Sequence, residues 1–177
     1  MLCVAWWLPV SGCATATPTA VSSSQELVGS TRAYSVLPMT DGWSKLSGED
    51  DSDADLVLVH ETTGTTILVN VHVGADQSID GIVSGRRTVL EEEHEILSFA
   101  EERSFLARSD FAAVSVAKYR LRRTGSEGWF PVLVGTAQGQ GAVVEVFGVS
   151  DRPRELEALF DDILGGLRVP AAGAAPQ

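Results

Sequence analysis

The residues whose types could do chemistry do not form a known catalytic motif. The three histidines, His60, His72 and His94, are scattered, and none lies in the H-E-x-x-H spacing of zinc hydrolases. The chain also has no G-x-S-x-G nucleophile elbow, no phosphate-binding loop and no G-x-G-x-x-G dinucleotide fingerprint. We therefore predict no catalytic residue, no metal site and no cofactor. A hydrolase built from scattered Ser, His and Asp residues is the enzymatic alternative.

An acidic stretch, Glu49–Asp55, contains the pattern D-x-D-x-D from Asp51, which suggests a calcium loop. A loop of the EF-hand type starting at Asp51 needs glycine at its sixth position and glutamate at its twelfth. Those positions hold Leu56 and Thr62. The stretch is therefore interpreted as a solvated acidic loop.

The two cysteines, Cys3 and Cys13, both lie near the N-terminus, so the sequence predicts no disulfide framework in the folded body. The apolar run 2–10 is too short to span a bilayer, which takes roughly 20 residues, and has the character of a secretory signal. The end of this run overlaps the tetrapeptide Val10-Ser11-Gly12-Cys13, which resembles the lipobox of bacterial lipoproteins. The resemblance implies cleavage before Cys13 and a lipid on its thiol. The thiol is suited to receive the lipid because its thiolate form is a nucleophile.

The segment after Cys13 is small, hydroxylated and contains a proline, which is typical of a flexible tether. The predicted organisation is a signal peptide over 1–12, a lipidated cysteine and tether over 13–30, one domain over 31–170 and a disordered tail over 171–177. Residue 14 is alanine and not the aspartate that retains lipoproteins in the inner membrane. In a cell with two membranes, the resemblance therefore implies the outer membrane, with the domain facing the periplasm.

The net charge of the chain limits its partners. The sequence has 24 acidic and 13 basic residues, a formal net charge of −11. Such a surface repels phosphate backbones, so nucleic-acid binding is not expected. Hydrophobic residues make up 44% of the chain, enough to form a core.

A β-hairpin is the clearest local element of the predicted domain. Two alternating strands over 55–61 and 66–73 flank Thr63-Gly64, which predicts a two-residue turn. That turn pairs Leu58 with Val69 and places His72 opposite Asp55 as a surface pair. His60 lies on the core face, at the turn end where its ring reaches water.

The remaining pattern predicts a helix from residue 79 that is capped by Asp76 or Ser78. The spacing of Gly81 and Gly85 suggests close packing of this helix on the sheet, with a frayed helix as the alternative. The charged run 91–95, including His94, is interpreted as a solvated face. Four strands follow, over 96–108, 112–123, 129–137 and 142–149. The last helix has Asp151 as its predicted cap, proline at residue 153, and an apolar stripe formed by Leu156, Leu159, Phe160, Ile163, Leu164 and Leu167.

Neighbouring strands that pair, with two helices that each need a sheet face, indicate an α+β fold with an antiparallel sheet. The order resembles the PsbP-like superfamily, which includes DcrB-type lipoproteins. The resemblance rests on Tyr34, Leu37-Pro38, Gly42-Trp43 and the closing segment 159–167. A cystatin-like two-layer fold is the alternative. Members of the superfamily are mostly adaptor or assembly proteins, so the resemblance implies no active site.

We therefore expect a lipoprotein of the bacterial cell envelope, held to the membrane by lipid on Cys13, that acts as a non-catalytic binding or assembly module for an envelope protein. The alternative is a carrier of a small apolar ligand between helix and sheet. A pocket lined by Trp43, Trp129 or Phe130 favours the carrier, whereas a filled core with an exposed sheet favours protein binding.

Overall fold

The computed structural model describes residues 17–29, 34–47, 54–74, 77–104, 113–123, 125–139 and 142–168. In chain order, its elements are β1 (Thr17–Val21), β2 (Leu27–Val28), β3 (Ser35–Val36), β4 (Trp43–Ser47), β5 (Leu56–His60), β6 (Thr66–Val73), α1 (Ile79–Glu93), β7 (His94–Ser104), β8 (Ala113–Arg123), β9 (Trp129–Gln138), β10 (Ala142–Val149), α2 (Pro153–Gly166) and β11 (Leu167–Arg168).

The main sheet has eight strands in the order β1-β4-β5-β6-β10-β9-β8-β7, and its paired strands are antiparallel. Strands β1 and β7 are the two edges. A second, three-stranded sheet joins β11, β3 and β2. The predicted α+β fold with an antiparallel sheet and two helices is confirmed.

The two helices cover opposite faces of the main sheet. Side chains of a strand alternate between its faces, and in β9 Val132 and Val134 pack with α1 whereas Leu133 packs with α2. Residues 143–148 of β10 are all buried, because both faces of this central strand are covered. The domain therefore has a core on each side of one sheet.

The β5–β6 hairpin has the predicted strands but a different register. Leu58 pairs with Ile67 and not with Val69, and His60 donates its backbone N–H to the carbonyl of Thr65. The connection is therefore the longer loop 61–64. The predicted faces survive, because a slip of two residues keeps every side chain on its side. Gly64 has a φ of 69°, a positive value that glycine adopts at little cost.

Helix α1 begins as predicted, since the Ser78 hydroxyl accepts a hydrogen bond from Gly81 N at 3.1 Å. The predicted close packing of Gly81 and Gly85 on the sheet is wrong, because both residues are exposed.

Helix α2 has the predicted apolar stripe. Leu156, Phe160 and Ile163 are fully buried. The prediction that Asp151 caps this helix is wrong. The residue before the helix is Arg152, whose side chain makes no capping bond, and Pro153 supplies the helical φ of the first turn instead.

The tether predicted over 13–30 is wrong for residues 17–29, which belong to the fold. Strand β1 pairs with β4, with Thr19 opposite Lys45, and β2 belongs to the small sheet. Only Val21 of β1 is buried, so the strand has no hydrophobic alternation to reveal it. Cys13, the acidic residues 49–53 and the tail 171–177 lie outside the described residues.

Candidate binding surface and buried polar groups

His60 lies at the end of β5, half-buried against the core. Its ring meets the edge of Trp43, with ring centroids 5.2 Å apart. Its Nδ1 is 3.2 Å from the hydroxyl of Thr63. These contacts are those of a packed side chain at a turn.

His72 does not pair with Asp55. The backbone N–H of Asp55 donates to Val69, and His72 lies opposite Val143 of β10. Its Nε2 is 3.2 Å from a carboxylate oxygen of Glu145. The predicted surface pair is therefore wrong, since its register was wrong.

Glu145 is the centre of a polar cluster beneath α1. Its side chain is 1% exposed. Arg86 donates to both carboxylate oxygens, at 2.8 and 2.9 Å, and Asn70 donates at 3.2 Å. Burial raises the pKa of Glu145, but the hydrogen bonds and charge of Arg86, with Asn70 and His72, outweigh burial and leave the pKa below its ordinary value.

Sequence reasoning missed this cluster, although both partners leave a signal. Glu145 is the one charged residue of β10, among valines. Arg86 occupies a position of the apolar stripe of α1. Each is a charge where the pattern calls for an apolar residue, and two such charges can neutralise one another in the fold.

The prediction that His94 belongs to a solvated face is wrong. This histidine is the first residue of β7 and meets the edge of the Phe130 ring at 5.4 Å. Burial lowers its pKa and Arg123 lowers it further, while Glu93 acts in the opposite direction. Its Nε2 is 3.7 Å from a Glu93 carboxylate oxygen. Among the described residues, no group of three or more His, Cys, Asp or Glu side chains could hold a metal ion.

A shallow cavity of about 250 Å³, which we call the α2 cavity, lies between β7–β9 and the N-terminal turn of α2. Its lining includes Ser98 and Ala100 from β7, Trp129 and Pro131 from β9, and Pro153. The carrier hypothesis expected a pocket lined by Trp43, Trp129 or Phe130. Of these three, Trp129 lines the α2 cavity, and it is 43% exposed.

The charge of the α2 cavity comes from β8. Strand alternation places Lys118, Arg120 and Arg122 on the α2 side of the sheet, while Tyr119 and Leu121 enter the core beneath α1. The Arg120 guanidinium carbon lies 3.8 Å from the ring centroid of Trp129, a cation–π contact.

The two neighbouring cations of β8 each have a carboxylate partner. Lys118 Nζ is 3.5 Å from a Glu157 oxygen, and Arg122 is 3.3 Å from Glu95. Both pairs are largely exposed, and exposed ion pairs contribute little free energy.

Comparison with known proteins decides the fold. No protein-family model matches the sequence, and no curated protein matches it. The structure is similar to the solution structure of cyanobacterial PsbP (CyanoP) from Synechocystis sp. PCC 6803, with a TM-score of 0.59 and 16% identity, covering 92% of this chain and 99% of that chain. The domain has the PsbP-like fold. At this identity the PsbP-like likeness concerns the fold alone, and the cystatin-like alternative is set aside.

Proposed function

We propose that this protein is a lipid-anchored module of the bacterial cell envelope that binds a partner protein and carries out no reaction of its own. The observation that carries the proposal is the exposed sheet surface around the α2 cavity. It combines the exposed Trp129 with a row of cations on β8. Exposed aromatic and arginine side chains are the groups enriched at protein interfaces.

The carrier alternative has less support than the binding module. Trp43 and Phe130, at 1% and 8% exposure, pack within the two cores. Pockets that enclose drug-sized ligands measure roughly 300–1,000 Å³, above the 250 Å³ of the α2 cavity. The cavity suits a side chain of a partner better than a whole ligand.

The anchoring part of the proposal rests on Val10-Ser11-Gly12-Cys13. With β1 starting at Thr17, a chain extends at most about 3.5 Å per residue, so a lipid on Cys13 would hold the sheet within about 14 Å of its attachment point. Among the residues that the structure describes, no helix combines the length and apolar character needed to cross a membrane. The proposed location is the periplasmic side of the outer membrane.

Membrane fractionation with labelled palmitate tests the anchor. We expect Cys13→Ser to lose the label and leave the membrane fraction. Cys3→Ser is the matched control, since it removes the other cysteine of the chain, and it should keep both. Label that persists in the Cys13 variant would overturn the anchor.

Photo-crosslinking in cells tests the binding surface. A photoreactive residue at Ser98, which lines the α2 cavity, should give a discrete crosslinked protein. The control is Ser84, an exposed residue of α1 on the opposite face, which should not give that product. The same product from both positions, or none from position 98, contradicts the proposed surface.

A further inference from the structure

We infer that the α2 cavity binds a carboxylate-bearing segment of the partner protein and that Arg120 is the residue that binds the carboxylate. This inference rests on the proposed binding function and names the chemistry of the partner.

Arg120 is the cation of the row that is available for a new bond. It is exposed, and among the residues that the structure describes it has no carboxylate partner, whereas Lys118 and Arg122 each have one. The Trp129 ring lies against its guanidinium. A guanidinium can stack on an aromatic face and still use its N–H edge for two parallel bonds to a carboxylate. Trp129 therefore holds Arg120 ready for a carboxylate.

The distribution of charge favours an acidic occupant. The chain as a whole carries a formal charge of −11, yet β8 brings three cations to one side of the sheet. Among the described residues, Lys118 is paired with Glu157 from α2 and Arg122 with Glu95 from β7, each in a weak exposed pair, and Glu102 of β7 lies on the same face of the sheet. A local concentration of cations on an acidic protein steers a negatively charged partner to that place, because the remaining surface repels it.

The position of the α2 cavity favours a protein partner over lipid headgroups. Its walls come from β7–β9, at one edge of the eight-stranded sheet, while β1, next to the proposed lipid site, is the other edge. Seven strand spacings of about 4.8 Å separate these edges by about 34 Å. A lipid on Cys13, which is four residues before β1, would hold the β1 edge of the sheet near the membrane. The α2 cavity, at the β7 edge, would then lie far from the membrane.

The test is fluorescence anisotropy of a labelled oligoglutamate peptide with the full chain carrying Cys13→Ser. We expect binding that weakens about tenfold in Arg120→Ala, the size typical of truncating an anchor arginine, and less in Arg120→Lys. The matched control is Arg87→Ala, since Arg87 also lies over an aromatic ring, that of Phe99, at 5.1 Å, but belongs to α1. It should bind like the parent.

Three results would overturn the inference. The first is no binding of the peptide, and the second is equal weakening of peptide binding in the Arg87→Ala variant. The third is Arg120-dependent sedimentation with phosphatidylglycerol vesicles at a higher affinity than that for the peptide. The last would assign the surface to a membrane. The outcomes are separable from those of the proposed function. If peptide binding fails while the crosslink at position 98 remains, the proposed binding function is retained and the inferred carboxylate on the partner is wrong.

Discussion

Replacing Arg86 with methionine should destabilise the domain by leaving Glu145 charged in the core. The methionine keeps the apolar stem of the side chain and removes the two charge-assisted bonds at 2.8 and 2.9 Å. Removing one partner of a buried ion pair costs about 3–5 kcal/mol. Asn70 and His72 still contact the carboxylate, so we expect the lower end, about 3 kcal/mol. Urea denaturation followed by tryptophan fluorescence measures the loss.

The loss should depend on pH. In the parent, the pKa of Glu145 is below its ordinary value of 4.5, so the cluster stabilises the fold above that pH and this contribution disappears as pH falls through the folded pKa. Without Arg86, we expect burial, the largest single influence on this pKa, to outweigh the hydrogen bonds of Asn70 and His72 and to raise the pKa of Glu145 above its ordinary value. The variant then loses stability as pH rises, and the gap between the two proteins should widen from about pH 4 to about pH 7.

Two further variants make the reasoning refutable. Arg86→Met combined with Glu145→Gln should recover about half of the lost free energy or more, since no buried charge remains. Arg87→Met, on the same helix and paired with Glu91 at the surface, should leave the free energy of unfolding essentially unchanged. A gap between parent and Arg86→Met that is constant with pH, or a double variant no more stable than the single one, would refute the buried-charge explanation.

Two more predictions concern stability. Gly64→Val should lower the free energy of unfolding by about 1 kcal/mol, because φ is 69° although no atom lies within 4 Å of an added Cβ; an unchanged thermal melt would contradict this. Asp162→Ala should cost about 2 kcal/mol, because the carboxylate accepts the indole N–H of buried Trp43 at 3.3 Å and the backbone N–H of Met39 at 3.0 Å. Asp162→Asn keeps an acceptor and should lose less in the same urea titration, so equal losses would count against these bonds.

The sequence by itself determined the local elements and the fold class. The stripe of α2, a cap of α1 at Asp76 or Ser78, and the alternation of β5 and β6 are periodic or adjacent features, and each depends on residues a few positions apart. The order of these elements was enough to indicate an antiparallel sheet with two helices. The absence of a catalytic motif and the lipobox resemblance are likewise sequence statements, and both stay predictions.

Only the tertiary structure decided which distant residues meet. Arg86 and Glu145 are 59 positions apart, and the sequence shows each as an isolated charge. The candidate site required β7, β8, β9 and α2 to come together, so the sequence could name Trp129 but not the cation beside it. Strand β1 shows the same limit, since its exposed residues gain their conformation from pairing with β4. Periodicity is encoded locally, whereas strand pairing and charge neutralisation depend on contacts that form only when the chain folds.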